Sequence, residues 1–249
     1  MTHAALQQFF ADLHVHTALS PCGSDEMTPP AIVAAALQAG LALVAVCDHN
    51  SARNAAAVQD AAGERLAVLA GMEVTSVEEA HVLGLFPTVA DAEAAGANVR
   101  SLLPDADDAY TVYWGEQHLM DADGRIVGAE GKALGLATTL TVGEVVGLIH
   151  RYGGLAIASH IDRRSFGVIS QLGFFPAQAG FDAVELSSHV KPAALPEFEA
   201  IGLPMTGASD AHYLADIGCA RTVLAAAEPT FGELALALRC ADDRCVARA

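Results

Sequence analysis

The sequence predicts an α/β fold made of βα units around a mostly parallel sheet, and two observations carry that prediction. Short apolar runs rich in Val, Leu and Ala alternate with segments of helical character along the 249 residues. The residues that follow those runs are polar and drawn from few types, as in barrel and doubly wound folds, whose chemistry lies beyond the C-terminal ends of parallel strands. With 53% hydrophobic residues the chain can bury a full core, so one domain spanning 1–249 is expected.

Strands are expected at 10–15, 42–47, 66–73, 81–86, 155–159, 183–187, 204–208 and 220–225. After the first, "TPPAIVAAALQAG" sets Thr28 to cap a helix that opens on prolines and ends at Gly40. "TVGEVVGLIHRYGG" repeats the pattern from Thr141 and stops at Gly153-Gly154, so both segments read as crossover helices. Residues 105–140 differ in kind. There "HLMDADGRIVG" is an apolar-turn-apolar hairpin within a polar, Gly-containing insertion, expected to serve as a lid or a dimer contact. Neither an internal repeat nor a low-complexity linker marks a second domain.

Lys plus Arg total 13 against 30 Asp plus Glu, a net charge of −17, which leaves no excess of cations to track a polyanionic backbone. Long nucleic acid is therefore not expected as a partner. Clustered carboxylates suit divalent cations instead, whose charge composition omits. Cys22, Cys47, Cys219, Cys240 and Cys245 are odd in number and form no Cys-x-x-Cys pair, against both a disulfide framework and a zinc ribbon. The opening MTHAALQQFFADLH lacks a basic start followed by a long apolar run, and the other apolar stretches are too short to span a bilayer. A soluble, cytoplasmic protein without membrane contact is expected.

The predicted strand ends hold a uniform collection. Strand alternation sends His14 and His16 to one face, where two imidazoles can share an ion. "LALVAV" runs into Asp48 and His49, "RLAVLAG" into Glu73, and His81 opens "HVLGLF". "GLAIAS" precedes His160, "AVELSS" offers Glu185, and "PMTGAS" precedes Asp210 and His212. A single histidine after a strand is more often a loop or capping residue; the recurrence of ligand types at successive strand ends points to a multinuclear metal site. Glu185 is open between this cage and a pairing elsewhere at the core edge.

In order, "DLHVHT", "CDHN", "GMEVTS", "HVLGLF", "ASHIDR" and "GASDAH" resemble the motifs of the PHP (polymerase and histidinol phosphatase) superfamily of metal-dependent phosphoesterases, over nearly the whole chain. The resemblance implies a distorted TIM-like (β/α)7 barrel. It also implies two or three Zn, Mn or Fe ions held by His14, His16, His49, Glu73, His81, His160, Asp210 and His212. The family often adds a ligand from "SDG-x-(L/M)-TP", and "GSDEMTP" suggests Asp25 for it, although "PCG" is inserted before the stretch and Glu26 replaces the usual Gly. Cys22 is the rival, its ordinary role being a half-buried thiol in a Ser-Pro-Cys-Gly turn.

Clustered divalent ions suit phosphoester hydrolysis: they bind phosphoryl oxygens, lower the pKa of a bound water and stabilise the leaving oxygen, so no Ser or Cys nucleophile is needed. The function expected is hydrolysis of a small phosphate monoester or phosphodiester. Asp48 is placed to orient an imidazole or a ligand water. Arg163, with Arg164 second, is expected to grip the phosphate, and His189 to contact substrate or donate a proton. His3 is read as disordered, His150 as structural and His118 as part of the hairpin. An amidohydrolase-like barrel and a non-catalytic metal-dependent regulatory module are the alternatives; "IDRRSF" after His160 favours phosphate over the first.

Overall fold

The computed structural model describes residues 5–248; His3 lies outside them. The strands are β1 (Gln7–Val15), β2 (Leu43–Val46), β3 (Ala67–Thr75), β4 (His81–Phe86), β5 (His118–Met120), β6 (Ile126–Ala129), β7 (Leu155–Ala158), β8 (Ala183–Leu186), β9 (Met205–Gly207), β10 (Thr222–Ala226) and β11 (Cys245–Arg248). The helices are α1 (Pro29–Gln38), α2 (Ala55–Ala62), α3 (Val89–Ser101), α4 (Asp108–Trp114), α5 (Val142–Arg151), α6 (Val168–Leu172), α7 (Leu195–Glu199) and α8 (Phe231–Leu238). None of them is long and apolar enough to cross a membrane.

Nine strands form one sheet in the order β11-β10-β1-β2-β3-β4-β7-β8-β9. It curls until β9 meets β10, where the Thr222 hydroxyl donates to the Gly207 carbonyl at 2.9 Å and accepts from the Gly207 N–H at 3.1 Å. The result is a nearly closed, TIM-like barrel of the expected class. The sheet is less parallel than predicted. Pairs β1–β2, β2–β3, β7–β8 and β8–β9 are parallel, but β3–β4, β4–β7, β1–β10 and β10–β11 are antiparallel. The cause for β4 is its short link from β3, residues 76–80, which cannot make a parallel crossover. All the predicted strands are present; β11 was not predicted.

Thr141 caps α5 in a full capping box with Glu144, and Val142, Val145, Val146, Leu148 and Ile149 turn one buried stripe toward the sheet. Thr28 stands at the N-cap of α1, although its side chain makes no capping bond there.

Strand alternation divides the core. One face packs under the helices through residues such as Val44, Val46, Met72 and Val74, in one cluster with Ile149 of α5. The other fills the barrel with Leu13, Leu43, Ala45, Leu69, Leu83, Leu85, Ile157 and Leu224, and α8 covers it with Leu234 and Leu238. Glu73, His81 and Glu185 share parity with Leu69, Leu83 and Ala183 on their strands, so they belong to the inner face. In β1 the register slips between Asp12 and Val15. That bulge lets Leu13 stay in the barrel core while His14 and His16 both face the top of the barrel.

Candidate metal centre

Five imidazoles gathered at the top of the barrel sit within reach of Glu73, which is fully buried at their centre. Glu73 Oε1 lies 3.4 Å from His14 Nε2, 2.9 Å from His81 Nδ1 and 3.1 Å from His160 Nε2. Its Oε2 lies 3.1 Å from His49 Nδ1 and 3.6 Å from His16 Nε2. Asp210 Oδ1 approaches His16 Nε2 at 2.9 Å and His14 Nε2 at 3.4 Å. Three overlapping sets offer ligand atoms within 4.8 Å of one another: His14, His16, Glu73 and Asp210; His49, Glu73 and His81; and His16, His49 and His212. His160 joins them through Glu73.

Hydrogen bonds behind the cluster determine which nitrogens face it. His14 Nδ1 lies 3.2 and 3.1 Å from the two oxygens of Glu185; a carboxylate only accepts, so Nδ1 carries the proton and Nε2 faces the cluster. The Ser20 hydroxyl donates to Asp48 at 2.7 Å and therefore accepts from His16 Nδ1 at 2.9 Å. His212 Nδ1 donates to the Asp210 carbonyl at 2.8 Å. Each ring thus presents Nε2 to the cluster, the orientation that outer partners impose on metal-binding histidines.

The residues present fit divalent metal. With Nδ1 protonated, neutral His14 and His16 point two lone pairs at each other across 3.1 Å, with Asp210 adjacent. Only a cation or an added proton relieves that repulsion. Glu73 Oε2, His81 Nδ1 and His160 Nδ1 are buried without a hydrogen-bond partner, a costly condition for polar atoms that a metal would remove for those facing it. Burial opposes charge on His14, yet Glu185, Glu73 and Asp210 outweigh it and lift its pKa well above the ordinary value. Burial also works against ionised Glu73, but the imidazoles of His81 and His14 hold it well below the carboxylate range. The buried carboxylates thus favour positive charge beside His14.

Strain collects at the same place. His160 and Asp210 follow their strands with φ of +27° and +53°, and Asn50, after His49, has φ +52°. Such backbone costs about 1–3 kcal/mol per residue and persists where the surroundings over-determine it. Asn50 is held by its side chain, which donates to the carbonyls of Leu134 and Leu136 and accepts from the Thr75 N–H. The 105–140 insertion is thereby fastened to the loop that carries His49. After His160, Asp162 accepts from the Ser187 N–H and hydroxyl, both at 2.7 Å, and Phe166 stacks on His81 with ring centroids 4.5 Å apart.

The remaining expected site residues divide. Arg163 Nη1 reaches Asp210 Oδ2 at 2.5 Å, beside the cluster. Asp48 stands behind it, accepting from the Thr17 N–H and hydroxyl and from Ser20. One expectation needs correction. Asp25 is turned outward, its side chain 82% exposed and 3.6 Å from His118, because the inserted Pro21-Cys22-Gly23 turn carries it past the cluster. Cys22 faces the site instead, its Sγ 3.2 Å from His49 Nε2. Burial raises that thiol, but hydrogen bonding with His212 and His49 outweighs it and brings it down to about 6. Arg164 and His189 are exposed on their loops and are not drawn into the cluster. His150 pairs with Asp182 at 2.9 Å, the structural part expected of it. Sequence reasoning missed Ser20, and nothing in its i+4 spacing from His16 announces it. Glu185, left open, joins the site as the partner of His14.

Barrel and strand-end cluster together make a nearly closed TIM-like barrel with ligand-type residues at its top, the architecture the motifs implied. Residues 197–242 match the PHP-associated (PHP_C) family. Comparison with curated proteins returned no match. Among solved structures, the lesion-specific endonuclease PfuEndoQ from Pyrococcus furiosus superimposes with a TM-score of 0.73 at 18% identity, over 96% of this chain and 58% of its own. This chain therefore spans little more than half of that protein. A protein of Bifidobacterium adolescentis assigned as a metal-dependent phosphoesterase matches at TM-score 0.59 and 22% identity, over 82% of this chain and 87% of its own. An amidohydrolase from Chromobacterium violaceum with bound sulfate matches at 0.60 and 20%, over 84% and 89%.

These likenesses correct the expectation drawn from net charge. Endonuclease Q has been captured with a 27-mer DNA duplex whose abasic lesion lies at the active site. An acidic total therefore gives no ground for excluding nucleic acid on this fold, because a metal cluster supplies local charge that the count of side chains leaves out.

Proposed function

We propose that this chain is a metal-dependent phosphoester hydrolase working with two or three divalent ions, Zn, Mn or Fe, held by His14, His16, His49, Glu73, His81, His160, Asp210 and His212. The observation that carries the phosphate reading is Arg163. In a chain with 13 Lys plus Arg against 30 acids, a guanidinium is anchored on a cluster carboxylate with its side chain still 32% exposed. Such a group suits an anionic substrate, since its planar fork donates to two phosphoryl oxygens at once.

When bound, the ions supply Lewis acidity toward phosphoryl oxygens and a water activated near neutral pH. The chain's own residues do the rest. Glu185 and the Ser20–Asp48 pair keep His14 and His16 in one tautomer and orientation. Asp210 holds Arg163 over the cluster, where substrate oxygens can share its donors. Phe166 covers one side of His81 and limits water there.

The test is a hydrolysis panel on chelator-stripped and reconstituted protein. It spans small phosphate monoesters and diesters, single-stranded DNA, duplex DNA with and without an abasic lesion, and amides. Metal-dependent release from phosphate esters, saturating at two or three ions per chain, is the expected result. Cleavage of amides alone, or no cleavage of any phosphate ester by fully loaded protein, would overturn it.

A further inference from the structure

We propose that Cys22 is a metal ligand: its Sγ, with His49 and His212 and beside His16, completes one ion position with a thiolate–imidazole donor set that selects zinc over manganese or magnesium. This rests on the cluster being a metal centre and goes beyond it, because it assigns a donor of different chemistry and a metal preference to one corner.

The histidines make the corner independently of the cysteine. His16, His49 and His212 offer ligand atoms within 4.8 Å of one another, and the rings of His16 and His212 stack with centroids 4.0 Å apart. Since Nδ1 of His16 is spent on Ser20 and Nδ1 of His212 on the Asp210 carbonyl, both rings turn Nε2 inward. No carboxylate finishes this corner from the motif loop, because Asp25, the acid expected there, is 82% exposed beside His118. The side chain that loop does present is Cys22, 3.2 Å from His49 Nε2.

The loop is built to hold it so. The Gly23 N–H donates to the Ser20 carbonyl at 2.9 Å, closing a turn with Pro21 and Cys22 at its centre, and the Ser24 N–H ties the turn to the His212 carbonyl at 2.9 Å. A Cβ at position 23 would stand 2.6 Å from the Thr17 carbonyl oxygen, so the tight closure needs glycine. Thiolate is a soft donor that favours zinc, whereas carboxylate suits manganese and magnesium. One substitution of donor type therefore changes which ion this corner prefers.

Chelator-stripped protein reconstituted with Co(II) reports thiolate ligation as a near-ultraviolet sulfur-to-metal charge-transfer band, apart from the visible d–d bands that any cobalt site shows. Wild type should show both; Cys22→Ser should lose the first and keep the second. Its zinc affinity at this position should fall by at least the ~10- to 100-fold that loss of an outer partner costs. Cys22→Asp should recover binding with the preference moved toward manganese. Zinc should also slow alkylation of Cys22 in the wild type, read by peptide mass against the exposed Cys219, Cys240 and Cys245, a readout that needs no variant to fold. Cobalt bound with d–d bands but no charge-transfer band, and Cys22 alkylated equally with and without zinc, would overturn the thiolate while leaving the metal centre intact. Failure of wild type to bind cobalt or zinc at all would overturn both.

Discussion

Glu185→Gln isolates what the buried carboxylate does for the cluster, because the change keeps the shape and removes the charge. In the wild type Glu185 accepts from His14 Nδ1 with both oxygens and from the His160 N–H at 3.1 Å. Glutamine has one oxygen. If that oxygen stays with the His160 N–H, the amide NH2 faces His14 Nδ1 at the 3.1 Å position of Oε2 and requires a lone pair there. The proton of His14 then moves to Nε2, the atom that faces Glu73 and Asp210, and the ring can no longer ligate. Loss of such an outer partner lowers metal affinity by ~10- to 100-fold.

At saturating metal that loss removes about 1.4–2.7 kcal/mol of ligand-linked stability. For a chain of this size each kcal/mol moves Tm by about 2–4 °C, so the zinc-induced rise in Tm should shrink by roughly 3–11 °C. The assay pairs thermal melts of stripped and zinc-loaded protein with a chelator competition for affinity. Comparing the rise rather than the absolute Tm subtracts whatever Gln costs the metal-free fold. An unchanged zinc affinity and an unchanged rise, with only the metal-free Tm lowered, would show Glu185 to be a packing residue and refute the tautomer reasoning.

The fold was legible where local signals are strong. Capping threonines with apolar stripes marked α1 and α5, and Val-, Leu- and Ala-rich runs marked every strand of the barrel except β11. β11 escaped because "CVAR" is a four-residue strand with its residues half-buried or exposed, too short and too mixed for a pattern. Strand direction was not legible from runs of apolar residues. The antiparallel setting of β4 is nevertheless implied by the seven residues between its predicted bounds and those of β3, too few for a parallel crossover.

At the site, residue type did most of the identification and local geometry supplied the remainder. His14, His16, His49, Glu73, His81, Asp210 and His212, with His160 against Glu73, converge because strand ends converge in a barrel. The bulge in β1, which sends Leu13 inward along with His14 and His16, leaves no mark in the sequence. The exchange of Asp25 for Cys22 depends on a tight turn whose direction three inserted residues decide, and spacing alone cannot reveal which side chain a turn points inward.

Arg163→Ala should lower kcat/KM on a phosphate ester by about 10- to 100-fold, the worth of a charge-assisted hydrogen bond, with metal content unchanged; Arg163→Lys should recover part of it. Unaltered kinetics in the alanine variant would remove the main reason for preferring phosphate. Glu130 fastens the insertion to α3 and to the loop after β2: its side chain is fully buried, accepting from Arg53 at 2.8 Å and from Arg100 at 3.0 Å. Burial pushes that carboxyl up, but the guanidiniums of Arg100 and Arg53 outweigh it and hold it below the ordinary carboxylate range. A depressed carboxylate adds stability above its unfolded pKa, and the contribution is lost as pH falls through the folded value. Because Arg53 and Arg100 are 46% and 45% exposed, their share is screened, and Glu130→Gln should cost about 1–2 kcal/mol at neutral pH. Urea titrations of both proteins across pH should show the gap narrowing below about pH 4, where the wild type begins to lose the same charge. A gap that persists undiminished in acid would mean that Gln disturbs packing, and that the ion pairs contribute nothing measurable to holding the insertion.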